Sequence, residues 1–510
     1  MKLIIKILPY SLLLLLPACS ADIPKNSRKM DKTVQLYPDY MEVTVPYNIA
    51  PLNFVVKEEG DDYCIVKVSG EDNNSIIIRG GKKMEIRFPE KKWKKLLLEN
   101  RGKHLTYDIF VKQGGNWIQY NSFQNRVAEE PIDPYLAYRL IEPSYQSSAQ
   151  MGLFQFNLET GTEKAIICTP KVLKEPGATG LRCVNCHVSR GSDNLFYYRG
   201  KGGGMILTYQ GKTYKVNTKA GDMFSSTAYP SWHPSLPLLA CSTNDVGQVF
   251  VATGVQKIEV FDRRSDLVLY DIEKNEITQI FKTRNRQESH PYWSPDGKYL
   301  YFCSSDSLFK EVNDYLKMKY DIKRISFDPE SKTWGEVETV YDATGQGKSA
   351  TYPRVSPDGK YLLFLFSTHS SSPYTLPDAD LYLMNLETGE SRALTEVNSP
   401  QAEGYLNWSS EGRWLVVSSR RQDGNYSHPY FAYFDKDGNA HKPFLIPNKN
   451  PMHCINLLRG YNVPEFSTTP VNVSQTRLNE IIAGPIIDAT YGSEIEEIPD
   501  GESGASVVEP

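Results

Sequence analysis

The chain has 510 residues, with 57 Lys and Arg against 61 Asp and Glu. Its formal net charge of −4 excludes the basic excess that nucleic-acid binding requires. This length has room for two or three domains. Aromatic residues make up 12% of the chain, 32 of them Tyr, and this bias favours strands over helices.

The chain opens with Lys2 and Lys6 around an apolar run from Ile4 to Leu16 that is too short to span a bilayer, which predicts a secretory signal peptide over residues 1–18. The segment Leu16-Pro17-Ala18-Cys19 resembles the lipobox of bacterial lipoproteins, whose cysteine becomes the lipid-modified first residue. The resemblance implies lipidation at Cys19, attachment to a membrane through that lipid anchor, and an outer-membrane lipoprotein of the cell envelope facing either the periplasm or the surface. Residues 19–35 are polar and aperiodic, as a tether would be. Nothing further along is apolar enough for a transmembrane helix, so the mature body is expected to be water-soluble.

Residues 36–130 alternate apolar and polar side chains, as in Met41-Glu-Val-Thr-Val and Thr106-Tyr-Asp-Ile-Phe-Val-Lys, and predict a small β-sandwich. One helix is predicted inside it from Pro89 to Asn100, with Pro at its start and Gly102 past its end. Lys91, Lys92, Lys94 and Lys95 on that helix form a face for anionic lipid or glycan, or a merely solvated one.

From residue 131 to 466 the chain repeats itself. Tyr229-Pro-Ser-Trp-His-Pro, His290-Pro-Tyr-Trp-Ser-Pro-Asp-Gly-Lys-Tyr-Leu, Tyr352-Pro-Arg-Val-Ser-Pro-Asp-Gly-Lys-Tyr-Leu and Tyr405-Leu-Asn-Trp-Ser-Ser-Glu-Gly-Arg-Trp-Leu each read as strand, tight turn, strand. A second strand pair follows each, and two fainter units begin near Gly152 and Val188, giving six four-stranded units. The spacing exceeds the roughly 40 to 45 residues of compact propeller blades, so long loops must decorate one face. One of them, Asp306–Lys319, carries a helical pattern. The Ser-Pro-Asp-Gly-Lys-x-Leu repeat resembles the propeller of the TolB-like family. This implies an all-β fold, an N-terminal β-sandwich followed by a six-bladed β-propeller, with a protein or glycan partner at the loop face. Residues 467–510 are read as a C-terminal extension ending in an acidic, Gly- and Ser-rich disordered tail.

The strongest chemical signal is Cys183-Val184-Asn185-Cys186-His187, the Cys-x-x-Cys-His pattern of c-type haem attachment, which chance supplies only about 0.002 times in a chain of this composition. Two thiols three positions apart can add to the two vinyl groups of haem c, and the adjacent imidazole then faces the iron as proximal ligand. Cys183 and Cys186 would be the thioether residues and His187 the metal ligand. The alternative is a haem-free binding propeller with Cys183 and Cys186 in a disulfide. Zinc is a weaker third reading, since Cys168 and His233 would have to be recruited singly.

Met151, Met205, Met223 and His233 lie on neighbouring units as candidates for a sixth iron ligand. Cys241 and Cys303 are read as core residues at one shared strand position. Laying Cys186 to Gly191 over Tyr292 to Gly297 puts the cysteines just upstream of a blade turn. The stretch Cys-x-x-Cys-His-x-Ser-Arg also resembles cytochrome-related TolB-like proteins, and the whole chain resembles lipid-anchored propellers of Bacteroidota type. With no Gly-x-Ser-x-Gly elbow and no Gly-rich phosphate loop after a strand, no catalytic residue is assigned, and a hydrolase is not expected. Electron transfer or redox sensing is the expected role.

Overall fold

The alternating and β-branched runs form strands along nearly the whole chain, and only three α-helices of four to ten residues are found among the described residues. The structure is a computed structural model. It describes residues 22–492 except 62, 73, 143–150, 169–182, 200–202, 252–257, 281–284 and 307–308. The signal segment 1–18, the lipidation residue Cys19 and the tail expected to be disordered from 493 onward lie outside the described residues. No helix among the described residues is long and apolar enough to cross a membrane.

The N-terminal part holds a seven-stranded sheet and a three-stranded sheet. Its first strand, Ser27–Thr33, runs parallel to Asn116–Asn121 at the sheet edge, so part of the segment expected to be a tether is folded. Periodicity could not reveal it, because both faces of this polar strand are largely exposed. Helix Glu90–Glu99 buries Trp93, Leu96 and Leu97, and Trp93 Nε1 donates to the Ile49 carbonyl at 3.1 Å. On its outer side Lys94 and Lys95 pair with Glu90 and Glu99 one turn away.

The rest of the chain is a six-bladed propeller. Blades 2 to 6 are consecutive four-stranded antiparallel meanders whose innermost strands are Cys183–Arg190, Thr227–Trp232, Gln287–Trp293, Ser349–Val355 and Glu403–Trp408. Blade 1 is composite. Its three outer strands, Tyr135–Ile141, Gly152–Asn157 and Thr162–Cys168, come from the start of the propeller, and its innermost strand, Gly460–Ser467, comes from the end. Pairing of Gly460–Ser467 with Tyr135–Ile141 closes the ring and removes two exposed sheet edges.

Beyond this closure the chain returns across the outside, where Ile487–Asp488 and Thr490–Tyr491 add fifth strands in parallel to the outer edges of blades 2 and 3. Blade 6 and the N-terminal sheets share one continuous apolar core. Tyr40 packs edge-on against Phe444 at 6.5 Å, and Thr44 Oγ1 meets His441 Nδ1 at 2.9 Å.

Two details depart from the sequence reading. The helical pattern in Asp306–Lys319 is realised as a 3-10 segment, Val312–Lys317. Cys241 and Cys303 are both fully buried, but the ladders align Ser242, not Cys241, with Cys303, so the two thiols join different clusters. The neighbouring Cys-Ser dipeptides suggested a shared position that the register shifts by one.

Candidate functional site

Every innermost strand is interrupted at its midpoint by a bulge whose first residue is not glycine and yet has positive φ. These are Cys186 (46°), Tyr229 (45°), His290 (53°), Tyr352 (56°), Tyr405 (40°) and Val463 (49°). Their ladders shift register at that point in all six blades. A left-handed residue other than Gly, Asn or Asp is costly, on the order of 1–3 kcal/mol, and six at one level of the fold mark a built feature. A bulge re-aims side chains, and here all six residues line one central cavity. The following residue is proline in four blades, where the missing N–H costs the interrupted ladder nothing. In blade 2 that position is His187.

The ladders also set the blade correspondence. Asn185 and Val188 pair outward as Ser289 and Tyr292 do, so Cys186 matches His290 and not Tyr292. The blade 2 turn is shorter, and this shifts the overlay of turn glycines by two residues.

The cavity holds about 390 Å³, within the roughly 300–1,000 Å³ range of small-molecule sites. Cys183, Cys186 and His187 share its wall. Both thiols are free, so the Cys183–Cys186 disulfide is not formed in this structure. Burial pushes the Cys183 thiol up, and Arg139 beside it opposes the shift. The Met151 Sδ lies 3.4 Å from Cys183 Sγ on the same wall.

Both nitrogens of His187 are covered and make no hydrogen bond of good geometry. Burial lowers the imidazole to about 4, a shift that the nearby backbone of Ala137 and Val463 offsets only in part. The ring is therefore neutral at pH 7, as a metal-ligating imidazole must be. Of the other candidate ligands, Met205 and Met223 are buried in the packing between blades 2 and 3. His233 accepts at Nδ1 from the Ser235 and Leu236 backbone, and its Nε2 lies 3.2 Å from the Gly297 carbonyl. None of these three reaches the cavity. Among the described residues no three His, Cys, Asp or Glu side chains converge as a metal-holding group.

The opposite wall is aromatic. His290 lies between Tyr229 and Tyr352 with ring centroids at 4.1 and 4.2 Å, Tyr405 is 5.5 Å from Tyr352, and Tyr374 stacks on Tyr405 at 4.6 Å. Burial lowers His290 to about 3, aided by Arg354. Sequence reasoning passed over this ring, although the recurring Tyr-Pro and His-Pro dipeptides were its signal. It also passed over Arg139, Arg354 and Glu465, which stand out only once blade 1 is closed.

The chain matches no protein-family model. Its backbone is similar to TolB from Acinetobacter baumannii, at 12% identity and a TM-score of 0.41 over 74% of this chain and 85% of that one. A puromycin-hydrolysing peptidase of Mycobacterium tuberculosis matches at 11% identity and a TM-score of 0.35, over 60% of this chain and 44% of the peptidase. An uncharacterised peptidase of Bacillus subtilis strain 168, YuxL, is 28% identical over 134 residues, which make up 26% of this chain but only 17% of YuxL. The propeller assignment itself follows from the strand pairings.

Proposed function

We propose that this is a cell-envelope propeller that carries haem c in its central cavity, attached through Cys183 and Cys186 with His187 as proximal ligand, and serves electron transfer or redox sensing. The observation that carries the reading is the convergence, on one wall of one cavity, of two free thiols and a neutral imidazole whose covered nitrogens make no hydrogen bond of good geometry. Unpaired buried polar atoms are uncommon in folded proteins and call for a partner. Haem, when bound, supplies a one-electron redox centre.

The chain's own residues supply the attachment points and hold the imidazole neutral. They also surround the site with apolar and aromatic side chains, and such burial tunes the potential of a redox centre. Of the four candidates for a further iron ligand only Met151 lines the cavity, where its thioether lies beside Cys183. Membrane attachment through Cys19 belongs to the same reading and rests on the lipobox resemblance.

The test is expression of the full chain in a host that matures c-type cytochromes. A Soret band and haem peroxidase activity that survive denaturing electrophoresis are expected, and C183A/C186A abolishes both. Intact thiols without covalent haem would overturn the reading.

A further inference from the structure

The same cavity holds a guanidinium that thioether attachment at Cys183 and Cys186 does not use. Arg354, on the innermost strand of blade 5, has a covered Nε without a partner, and its Nη1 donates to the carbonyl of its own neighbour, Pro353, at 2.8 Å. The guanidinium lies 4.7 Å from the ring centre of Tyr292, a contact that holds the fork without neutralising it. Arg139 also lines the cavity, beside Cys183. Glu465 is the sole carboxyl among the described lining residues; one of its oxygens accepts from Ser189 N at 3.3 Å and the other has no partner. Burial raises Glu465 to about 8 against the opposing pull of the Ser189 backbone and of Arg354, which leaves it mostly protonated at neutral pH. Arg354 is half-buried, and its covered Nε leaves the guanidinium with donor capacity that the cavity wall does not satisfy. Such a site is one that an anion completes.

We propose that the central cavity binds a carboxylate carried on a flat conjugated ring, with Arg354 receiving the carboxylate and the tyrosine and histidine rings of the bulges supporting the ring. A guanidinium fork matches the two oxygens of a carboxylate. The rings of Tyr229, His290, Tyr352 and Tyr405 follow one another around the cavity at 4.1, 4.2 and 5.5 Å, and a planar partner can pack against them. The proposal rests on the haem reading for one of two sources of this chemistry, the propionates of an attached haem. The other source is a free aromatic carboxylate.

The test uses full-length C183A/C186A protein, which cannot attach haem covalently. It is titrated by tryptophan fluorescence with haemin, with haemin dimethyl ester and with naphthalene-2,6-dicarboxylate. Haemin is expected to bind about tenfold or more tightly than its ester. Naphthalene dicarboxylate is expected to bind as well. R354Q removes the preference for acid over ester, and R354K, which keeps the charge but not the fork, retains part of it; unchanged circular dichroism certifies both folds. Equal binding of acid and ester, or a preference that survives R354Q, overturns the carboxylate site while leaving covalent attachment in the wild type to stand. Arg354-dependent binding of naphthalene dicarboxylate, in a protein whose intact thiols never acquire haem, supports this site and overturns the haem reading alone.

Discussion

Buried titratable groups in and near the cavity set opposing demands on pH. His187 at about 4 and His290 at about 3 are depressed from the ordinary 6.5 by burial. Their contribution to stability is complete above 6.5 and is lost as pH falls through the folded values. Glu465 at about 8, and Glu403 at about 7 despite Arg421 at 3.2 Å, are raised from 4.5 by burial. Their contribution is complete below 4.5 and is lost as pH rises to 7 or 8. Between 4.5 and 6.5 the two sets oppose each other. Stability is therefore predicted to be nearly flat in that window, to fall below about 4.5 under the histidines, and to fall between 6.5 and 8 under the glutamates. Urea midpoints of the haem-free C183A/C186A protein, in which His187 carries no ligand, measured from pH 4 to 9 check the shape. E465Q should flatten the alkaline limb by a few kcal/mol at most, at about 1.4 kcal/mol per pKa unit. An alkaline limb as steep as before the substitution would count against the assignment of Glu465.

At the scale of elements, the second and third strands of blade 3, Leu238–Phe250 and Ile258–Asp271, are 13 and 14 residues long, about twice their counterparts in the other blades. Their outer halves form an arm that contributes Val246, Gln248 and Val260 to the cavity wall. Glu259 Oε1 meets His369 Nε2 at 2.5 Å, and Ser370 Oγ donates to the Val260 carbonyl at 3.2 Å, which ties the arm to blade 5. Phe261 stacks between Phe309 and Tyr315 at 5.2 and 5.1 Å. A Cβ at Gly247 would come within 2.4 Å of the Phe261 ring, so G247A must displace that ring. The expected cost is roughly 1–3 kcal/mol, felt in the arm before the blades. Hydrogen exchange should show faster exchange in the arm with little change in blade 5; uniform loss of protection would contradict a locally built arm.

Sequence patterns reached the repeating elements unevenly, for physical reasons. Pro295-Asp296-Gly297 and Pro357-Asp358-Gly359 made their turns legible because proline and glycine have narrow conformational roles. The bulges were invisible because Tyr, His and Cys carry no such signal for positive φ. The motif at 183–187 was legible as chemistry, whereas its cavity depended on a strand near residue 460. Val463-Pro464 does echo the Tyr-Pro and His-Pro of other blades, but a lone dipeptide is a weak cue.

At the scale of the molecule, two separate devices hold the ring. Closure of blade 1 by Gly460–Ser467 joins the ends of the propeller through the ladder that also carries Glu465 and Val463 into the cavity. The extension after it acts from outside. Helix Gln475–Ala483 buries Leu478, Ile481 and Ile482 against blades 1 and 2, and Lys215 Nζ donates to the Ile482 carbonyl at 2.7 Å. Asn275 Nδ2 donates to the Asp488 carbonyl at 2.8 Å, and Tyr491 packs so closely on Gly221 that a Cβ there would fall 2.8 Å from its ring. Truncation after Thr469 leaves the closing strand intact and removes this outer clip. The truncated protein is expected to remain folded and to keep whatever the cavity binds. Its melting temperature should fall, because three apolar side chains no longer cover blades 1 and 2, at about 1.5–3 kcal/mol for each side chain fully buried. Truncation before Gly460 opens the ring instead, exposes the edge of Tyr135–Ile141 and removes Glu465 from the cavity, so aggregation and loss of binding are expected together. Equal behaviour of the two truncations in scanning calorimetry and ligand titration would show that closure and clip are one cooperative unit.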